Sequence, residues 1–352
     1  MKNYREIAEK LHQSTELIVV DAHLDLLYDL YNKHREGKKD VIVNSYLKDF
    51  QAGGVNVIIA ALFIETRDLP EAATKCALGQ IGAFYQELEG SAGQYVSLCR
   101  NYDEIKQAIH DGKVAILLSF EGAEPLGDDP DLLRVFYELG FRGLGLCWSR
   151  KNLAADGALY SDVEQGPKAG LSNLGYRFVR EAERLGMFLD VSHLGDEGFD
   201  DIKKIATRPF IASHSNCRAL HKMERSLSDE QIQEIGRCGG VIGINAVSAL
   251  IAMSREDATI EALVAHVKHL VELAGIDHVG LGFDFGDNIS PCGSELSVNG
   301  IMVPIFDVVK GYGGIIELTI ELLKAGFDED EIARIYGGNF MRLFSEVLAS
   351  KK

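Results

Sequence analysis

This chain of 352 residues contains few positively charged side chains relative to its negatively charged ones. It carries 36 lysines and arginines against 53 aspartates and glutamates, which gives a formal net charge of −17. A surface this acidic repels phosphate backbones and anionic lipid headgroups. Nucleic acids and membranes are therefore not expected as partners, although the charge balance says nothing about the fold.

Paired cysteine motifs and targeting segments are also missing. None of the six cysteines lies in a CxxC pattern, which predicts buried thiols in a reducing compartment rather than a disulfide framework. The first 16 residues lack the apolar centre of a signal peptide, and residues 346–352 lack the hydrophobic tail of a lipid-anchor signal. No run is long enough to cross a bilayer, so we expect a cytoplasmic protein. The cysteines are Cys76, Cys99, Cys147, Cys217, Cys238 and Cys292.

Nucleotide-binding loops and interdomain linkers are absent from the sequence as well. No GxGxxG follows the first apolar run, and no GxxxxGK[ST] occurs, so the dinucleotide-binding and P-loop classes lack their fingerprints. No linker rich in Pro, Ser or Gly divides the chain. We predict one domain over residues 1–352, with an N-terminal helix at about 3–13 and C-terminal helices at about 304–348.

What the sequence does contain is a regular alternation of short apolar runs and helical patterns. Continuous apolar runs are typical of parallel strands that are covered on both faces. Eight of them, separated by helices, favour an α/β fold of the (β/α)8 TIM-barrel type, with a doubly wound open sheet as the alternative. The predicted strands are 17–24, 55–64, 114–120, 141–148, 186–192, 208–213, 239–245 and 278–283. The helical patterns include about 70–89, 102–111, 130–138, 195–206, 257–274, 304–324 and 328–348.

The first predicted strand ends in a pair of residues that can bind a metal. Its sequence LIVVDAHLD places His23 and Asp25 two residues apart. Because residues i and i+2 of a strand point to the same face, the imidazole and the carboxylate leave the strand side by side. This pair is suited to a divalent cation, provided that other strands bring further ligands to the same end.

Four more predicted strands end in residues of the same kind. Glu121 follows the third strand, His193 the fifth, His214 the sixth and Asp284 the eighth. Each alone is more often a hydrogen-bonded core or capping residue than a ligand. In a barrel, however, these strand ends meet at one mouth, and so much buried charge is costly without a compensating cation.

The number of these ligands favours two metal ions, because a single catalytic zinc is held by three protein ligands. In this hypothesis His23 and Asp25 bind one ion, His193 and His214 bind the other, and Glu121 bridges them. Two zinc ions about 3.5–4 Å apart share a water and lower its pKa toward ~7, which gives a bridging hydroxide at neutral pH. Asp284 is then left to accept and pass on a proton.

These residues resemble the membrane (renal) dipeptidase family of zinc peptidases over residues 17–345. The resemblance implies a metal-dependent (β/α)8 barrel that hydrolyses dipeptides, often with a D-residue at the C-terminal position. It assigns His23, Asp25, Glu121, His193 and His214 as the metal ligands. The motifs that carry it are DAHLD (21–25), SFEG (119–122), LGLCWSRKNLAADG (144–157), GLSNLG (170–175), LDVSH (189–193), ASHSNCRALH (212–221), RSLSDE (225–230), GLGFDF (280–285) and GGNFMRLF (337–344).

The resemblance also assigns residues to catalysis and to substrate binding. Asp284 matches the catalytic acid/base, Glu121 the bridging carboxylate at the reaction centre, and Arg225 the arginine that holds the substrate carboxylate. A guanidinium fork suits this role because it can bind a carboxylate through two hydrogen bonds. Members of the family often form dimers, so a homodimer is an expectation from the resemblance alone.

Two positions depart from the family pattern. Trp148 stands where mammalian members have a histidine that is proposed to contact the substrate carbonyl. We interpret this single tryptophan as a large wall residue of the substrate pocket. The segment Asp284-Phe285-Gly286-Asp287 replaces the usual Asp-Phe-Asp-Gly, which predicts a different following loop. That loop, residues 286–302, is the best candidate for an active-site cover.

Two other functions remain as alternatives. Amidohydrolase-type barrels that act on lactones or cyclic amides usually carry His-x-His on strand one and often a lysine on strand four, whereas this chain has His23-x-Asp25 and no lysine in residues 141–148. A catalytically silent barrel that binds a peptide or protein partner is disfavoured, because every expected metal ligand is present.

Overall fold

A ring of parallel strands forms the centre of the molecule. The computed structural model describes residues 3–160, 168–287, 289, 295–298 and 301–349. Within them the strands of the large sheet follow one another in the order β6-β5-β4-β2-β1-β8-β7, with the short β3 beside β4. The strands are β1 Val19–Leu24, β2 Val55–Leu62, β3 Val96–Leu98, β4 Val114–Glu121, β5 Phe141–Gly145, β6 Phe188–Asp190, β7 Ile242–Ile244, β8 Val279–Leu281, β9 Glu295–Val298 and β10 Ile301–Pro304.

The ring is closed by a segment that lies between β6 and β7. Ile211 forms a parallel bridge to Asp190 of β6, and Ala212 forms one to Ile242 of β7. The segment predicted as the sixth strand, residues 208–213, therefore occupies the expected place with only these two bridges. The other seven predicted strands correspond to β1, β2, β4, β5, β6, β7 and β8, and the (β/α)8 barrel is confirmed.

Helices cover the outside of the strands, and most begin or end within three residues of the predicted bounds. They are α1 Tyr4–His12, α2 Leu26–Arg35, α3 Leu47–Ala52, α4 Ala73–Glu89, α5 Tyr102–His110, α6 Asp131–Glu138, α7 Asn173–Leu185, α8 Asp196–Ile205, α9 Asp229–Arg237, α10 Ile260–Ala274, α11 Ile315–Ala325, α12 Glu329–Ala333 and α13 Asn339–Val347. Among the residues that the structure describes, no helix is both long enough and apolar enough to cross a bilayer.

Two of the C-terminal helix predictions were wrong in extent. The helix predicted at 304–324 begins only at Ile315, because Gly311, Gly313 and Gly314 favour turns over helix. The helix predicted at 328–348 is two helices joined by a wide π turn at Arg334–Gly338. A side chain at Gly337 would meet the carbonyl oxygen of Ile18 at 2.3 Å, so the chain approaches the start of β1 there.

A short hairpin lies in the predicted active-site cover. Strands β9 and β10 pair in antiparallel fashion, and Val298 and Val303 pack with Met223 and Leu250 in a small apolar cluster. Residue 288 and residues 290–294, with Cys292 among them, lie outside the described residues, as do 299 and 300. The described part of the loop is thus folded over the loops that follow β7 and the sixth barrel segment.

One buried carboxylate ties β1 to distant parts of the chain. Asp21 accepts a hydrogen bond from the Tyr312 hydroxyl at 2.5 Å and another from the backbone N–H of Phe283 at 2.9 Å. Burial raises the pKa of Asp21 to about 6, and these hydrogen bonds oppose that rise. The strand that carries His23 and Asp25 is therefore fixed against β8 by side-chain bonds as well as by the sheet.

The buried His266 of α10 makes the fold sensitive to acid. Its Nδ1 accepts the backbone N–H of Cys217 at 3.1 Å, and burial lowers its pKa to about 4 from 6.5. Between pH 6.5 and pH 4 the unfolded chain therefore binds more protons at this histidine than the folded protein does. The contribution of His266 to the free energy of unfolding is complete above pH 6.5 and is lost as the pH falls through 4. At 1.36 kcal/mol per pKa unit, the free energy of unfolding should fall by up to about 3 kcal/mol.

The test is urea unfolding of the chelator-treated protein at several pH values between 7 and 4. Between pH 7 and pH 4 the free energy of unfolding of the wild type should fall by up to about 3 kcal/mol more than that of His266→Asn. The amide oxygen of the asparagine can still accept the Cys217 N–H. His110→Asn is the matched control, because His110 is solvent-exposed at the end of α5. Equal pH dependence of the wild type and His266→Asn would show that His266 does not contribute.

Candidate metal centre

Six side chains of metal-binding type meet at one end of the barrel. His23 lies near the end of β1, Asp25 directly follows it, and Glu121 is the last residue of β4. The other three follow β6, the bridging segment and β8 within three residues; they are His193, His214 and Asp284. This is the end of the barrel at which the carboxyl termini of the strands point outward, where (β/α)8 enzymes place their chemistry.

Glu121 is surrounded by three imidazoles. Its Oε1 lies 2.9 Å from the Nε2 of His193, 3.5 Å from the Nε2 of His214 and 3.8 Å from the Nε2 of His23. His23 also lies 3.9 Å from an Asp25 oxygen and 3.7 Å from an Asp284 oxygen. All of these distances join atoms that can bind a metal.

The described residues contain two groups with the spacing that a metal ion needs. One is His23, Glu121 and His214, and the other is His23, Asp25 and Asp284; within each group the ligand atoms lie within 4.8 Å of one another. His193 lies outside both groups, yet its Nε2 is 2.9 Å from the Nε2 of His214. The hypothesis places His23 and His214 on different ions, whereas one of these two groups contains both of them, and His23 belongs to both groups.

The hydrogen bonds around His214 fix which of its nitrogens carries the proton. Ser213 donates its only hydroxyl proton to Asp190 at 2.5 Å, and the same Ser213 oxygen lies 2.7 Å from the Nδ1 of His214. The Nδ1 must therefore be the donor, which leaves an unprotonated Nε2 on a neutral ring. That lone pair lies 2.9 Å from the Nε2 of His193 and 3.5 Å from the Oε1 of Glu121, so a cation among these atoms could bind all three residues.

Buried atoms without partners point to the same conclusion. The Nε2 of His23 and the Oδ1 of Asp25 are buried and have no hydrogen-bond partner among the described residues. Burial lowers the pKa of His23 to about 3 and raises the pKa of Asp25 to about 8, the latter with help from Asp284. Burial likewise raises the pKa of Glu121 well above its usual value. A neutral imidazole and buried carboxylates fit a divalent cation. The positive charge of the ion would keep the carboxylates ionised, whereas burial alone favours their protonated form.

Asp284 is held in place by a side chain from the neighbouring strand end. The Nδ2 of Asn245 donates to its Oδ2 at 2.9 Å, and the Oδ1 of Asn245 accepts the backbone N–H of Val247 at 2.7 Å. Burial raises the pKa of Asp284 to about 6, while Asn245 and the charge of Arg225 oppose the rise. Its backbone φ is 59°, a left-handed conformation that costs about 1 kcal/mol for a residue with a Cβ.

Arg225 presents a partly free guanidinium to the same mouth. The side chain is buried and donates to the Ser215 hydroxyl at 2.9 Å and to the His214 carbonyl at 2.7 Å. Its Nε is buried without a hydrogen-bond partner among the described residues. The positive charge of Arg225 lowers the pKa of His23, His193 and Asp284, so its field favours an anionic group at this end of the barrel.

Comparison with known proteins identifies the family to which these features belong. The model of the membrane dipeptidase family (peptidase family M19) matches residues 6–352. This chain belongs to the membrane dipeptidase family. It is therefore a metal-dependent dipeptidase, and the predicted family and enzyme class are confirmed.

Curated relatives match a large part of this dipeptidase. An uncharacterized protein in the pqqA 5' region of Klebsiella pneumoniae is 30% identical over 274 residues, which are 76% of this chain and 94% of that protein. The dipeptidase tcpJ of Claviceps purpurea is 30% identical over 253 residues, which are 72% of this chain. The match spans 55% of the length of tcpJ.

Solved structures share the whole fold of this dipeptidase. A metallo peptidase from Rhodobacter sphaeroides, liganded with a phosphinate mimic of the dipeptide L-Ala-D-Ala, is 26% identical with a TM-score of 0.81 and covers 94% of this chain and 99% of its own. The dipeptidase AC, a metallo peptidase, is also 26% identical with a TM-score of 0.81, and the match covers 95% of this chain and 100% of that protein. Both resemble this chain over nearly all of its length.

Aromatic residues form one wall of the dipeptidase mouth. Trp148 is half-buried, and its ring centroid lies 5.3 Å from that of Phe63 and 5.8 Å from that of His193. The guanidinium of Arg150 lies over Trp148 at 5.3 Å and is fixed by Glu124. Trp148 thus lies where a wall residue of the substrate pocket would lie.

Several residues that support the dipeptidase site were missed by the sequence analysis. The Oγ of Ser149 lies 2.8 Å from the Nδ1 of His193, and the Oγ of Ser213 lies 2.7 Å from the Nδ1 of His214. The position of Ser213 next to His214 was a signal that could have been used, because a histidine suited to metal binding usually hydrogen-bonds through its second nitrogen. Asn245 had a weaker signal in its place at the end of the seventh strand run.

Proposed function

We propose that this dipeptidase uses two zinc ions to hydrolyse dipeptides with a free α-carboxylate, including those with a D-residue at the C-terminal position. The observation that carries the proposal is the meeting of buried, unpartnered metal-ligand atoms with the free Nε of Arg225 at one barrel mouth. The family match supports the reaction, and the chemistry of the ligands supports zinc, since neutral imidazole and carboxylate oxygen are suitable zinc ligands.

The side chains that would hold the ions are His23, Asp25, Glu121, His193 and His214. Glu121 is the best bridging group, because one of its oxygens faces all three imidazoles at 2.9 to 3.8 Å. When bound, the ions would supply the positive charge that lowers the pKa of a water and polarises the scissile carbonyl. Ser149 and Ser213 would keep two imidazoles in the ligand tautomer.

Asp284 would move the proton, and Arg225 would fix the substrate. Asp284 lies at the mouth with one oxygen bonded to Asn245 and the other 3.7 Å from His23. It can accept a proton from the attacking water and deliver it to the departing amine. The guanidinium of Arg225 would bind the α-carboxylate, so the distance from Arg225 to the ligands would restrict cleavage to short peptides.

The inclusion of dipeptides with a C-terminal D-residue is supported by one solved relative. The Rhodobacter sphaeroides protein, whose structure contains a phosphinate mimic of L-Ala-D-Ala, shares the fold across 94% of this chain. We also retain two predictions that nothing in the fold decides. They are a cytoplasmic location, suggested by thiols at Cys76, Cys99, Cys147, Cys217 and Cys238, and a homodimer.

The proposed function is tested with metal analysis and a panel of L-X–D-X and L-X–L-X dipeptides. We expect two equivalents of metal and hydrolysis of free dipeptides, with little hydrolysis of the matching dipeptide amides, which lack the carboxylate. Arg225→Gln should lower kcat/KM for a free dipeptide about 100-fold, because truncating a buried charge partner costs ~3 kcal/mol, and should change hydrolysis of the amide far less.

Arg237→Gln is the matched control, because Arg237 is an exposed arginine of α9 that pairs with Glu234. It should hydrolyse free dipeptides at the wild-type rate. A fully metallated protein that cleaves no dipeptide would refute the proposal and favour a silent barrel. Equal cleavage of amides and free dipeptides would refute the role of Arg225 alone.

A further inference from the structure

Tyr160 lies beside His193, outside the set of residues that the proposed mechanism uses. Its ring centroid is 6.4 Å from that of His193 and 6.2 Å from that of Trp148. Its chain neighbour Leu159 accepts the backbone N–H of Arg225 at 3.0 Å. The ring packs against the apolar cluster that includes Val298 of the β9–β10 hairpin. Tyr160 is therefore fixed between the hairpin, the substrate-binding arginine and the metal-ligand histidines.

A chain of hydrogen bonds orients the hydroxyl of Tyr160. The Oγ of Ser149 lies 2.8 Å from the Nδ1 of His193, and Ser149 also hydrogen-bonds to the Tyr160 hydroxyl. If His193 presents an unprotonated Nε2 to a metal, its Nδ1 carries the proton and donates to Ser149. Ser149 then donates its own proton to the oxygen of Tyr160. The proton of Tyr160 is left free to point into the site.

Three charged residues of the proposed mechanism act on the Tyr160 hydroxyl. Arg225, Asp284 and Glu121 all act on it electrostatically. These three groups belong to the carboxylate-binding, proton-transferring and metal-bridging parts of the proposed mechanism. Burial raises the pKa of Tyr160 to about 12, so it keeps its proton at neutral pH.

We propose that Tyr160 is a further catalytic residue, which donates a hydrogen bond to the oxygen of the scissile carbonyl. The inference rests on the proposed dipeptidase mechanism. As the water oxygen bonds to the carbonyl carbon, the π electron pair moves to the carbonyl oxygen, which gains negative charge. Tyr160 stabilises that charge while Asp284 takes the water proton. The electron pair on the oxygen then re-forms the carbon–oxygen double bond as the carbon–nitrogen bond breaks, and Asp284 passes the proton to the leaving amine.

Trp148, the other hydrogen-bond donor of this wall, is less suited to the task. Its ring packs at 5.3 Å from Phe63 and lies beneath Arg150, which is held by Glu124 and by the carbonyl of Ile64. These contacts fix the indole as part of the wall. None of them directs its N–H to the metal-ligand residues, whereas the bond from Ser149 directs the hydroxyl of Tyr160.

The experiment compares metal-loaded wild type with Tyr160→Phe, which removes only the hydroxyl. We expect kcat for a free dipeptide to fall about 100-fold, as for loss of one oxyanion-hole donor, with KM changed less than about threefold. A phosphinate dipeptide, which resembles the charged transition state, should bind the variant about 100-fold more weakly in calorimetry. Metal content and thermal midpoint should match those of the wild type.

Tyr85→Phe is the matched control, since the Tyr85 hydroxyl donates to the carbonyl of Leu139 at 3.1 Å away from the metal ligands; it should retain wild-type kinetics. The inference is wrong if Tyr160→Phe keeps its kcat and its phosphinate affinity, if only KM rises, or if metal is lost. Failure of the wild type itself to cleave any dipeptide would instead count against the proposed function.

Discussion

Replacement of Asp284 by Asn is expected to lower kcat for dipeptide hydrolysis about 1,000-fold, within the range of a positioned general acid–base group. The shape of the side chain is kept, but it can no longer accept a proton from water. KM should change little, because Arg225 and the metal-ligand residues still bind the substrate. Steady-state kinetics with a free dipeptide, together with metal analysis of the same sample, measure both quantities.

The control for this substitution is Asp277→Asn. Asp277 is an exposed carboxylate that precedes β8, at the opposite end of the strand that leads to Asp284, and its replacement should leave kcat unchanged. Asp284 would not be the proton carrier if Asp284→Asn kept full activity with a normal metal content. Loss of metal together with activity would make Asp284 a ligand instead, as its place in the group with His23 and Asp25 allows.

Removal of metal is expected to abolish activity and to destabilise the protein. Without cations, the buried carboxylate of Glu121 and the closely spaced Nε2 atoms of His193 and His214, 2.9 Å apart, lose the positive charge that would hold them together. A ligand that binds only the folded state stabilises it by about 4 kcal/mol at a free concentration 1,000 times its Kd. Chelation should therefore remove dipeptidase activity and lower the urea midpoint, and added zinc should restore both.

Two histidine variants separate metal binding from general stability. His214→Ala should lose the zinc-dependent rise in the urea midpoint, because it removes one imidazole from the ligand group. His278→Ala should retain it, because His278 lies before β8 at the far end of the barrel and bonds to the carbonyl of Gly240. A chelated wild type with unchanged activity would contradict a metal-dependent mechanism, and zinc, manganese and cobalt compared in parallel would identify the preferred ion.

The barrel was predictable because its strands are buried on both faces and so read as continuous apolar runs. The prediction was less accurate where pairing, not composition, decides the structure. Residues 208–213 have the composition of a strand, yet only Ile211 and Ala212 form bridges. The next backbone N–H groups, those of Ser213 and His214, donate to side-chain oxygens of Asp190 and Ser192 instead of to a strand. Strand β3 and the β9–β10 hairpin are short, and short apolar runs give a weak signal.

The meeting of the candidate metal-ligand residues was predictable because strand ends occupy defined positions in a barrel. His23 and Asp25 share a face through the two-residue period of a strand, and Glu121 ends its strand in the same way. The supporting residues were not, because a serine or an asparagine after a strand is usually a turn residue. Tyr160 was missed for a different reason: it lies on a loop, whose path depends on packing against the hairpin rather than on any periodic pattern.

The hydrogen bonds of Asp21 also set the order in which the protein can be completed during synthesis. β1 can pair with β2 soon after both are made, but Asp21 must wait for Phe283, 262 residues later, and for Tyr312, 291 residues later. Such distant contacts cost loop entropy before they stabilise anything. The strand that carries His23 thus gains its support from Phe283 and Tyr312 late, so a chain truncated before Phe283 should lack this brace beneath the candidate metal-ligand residues.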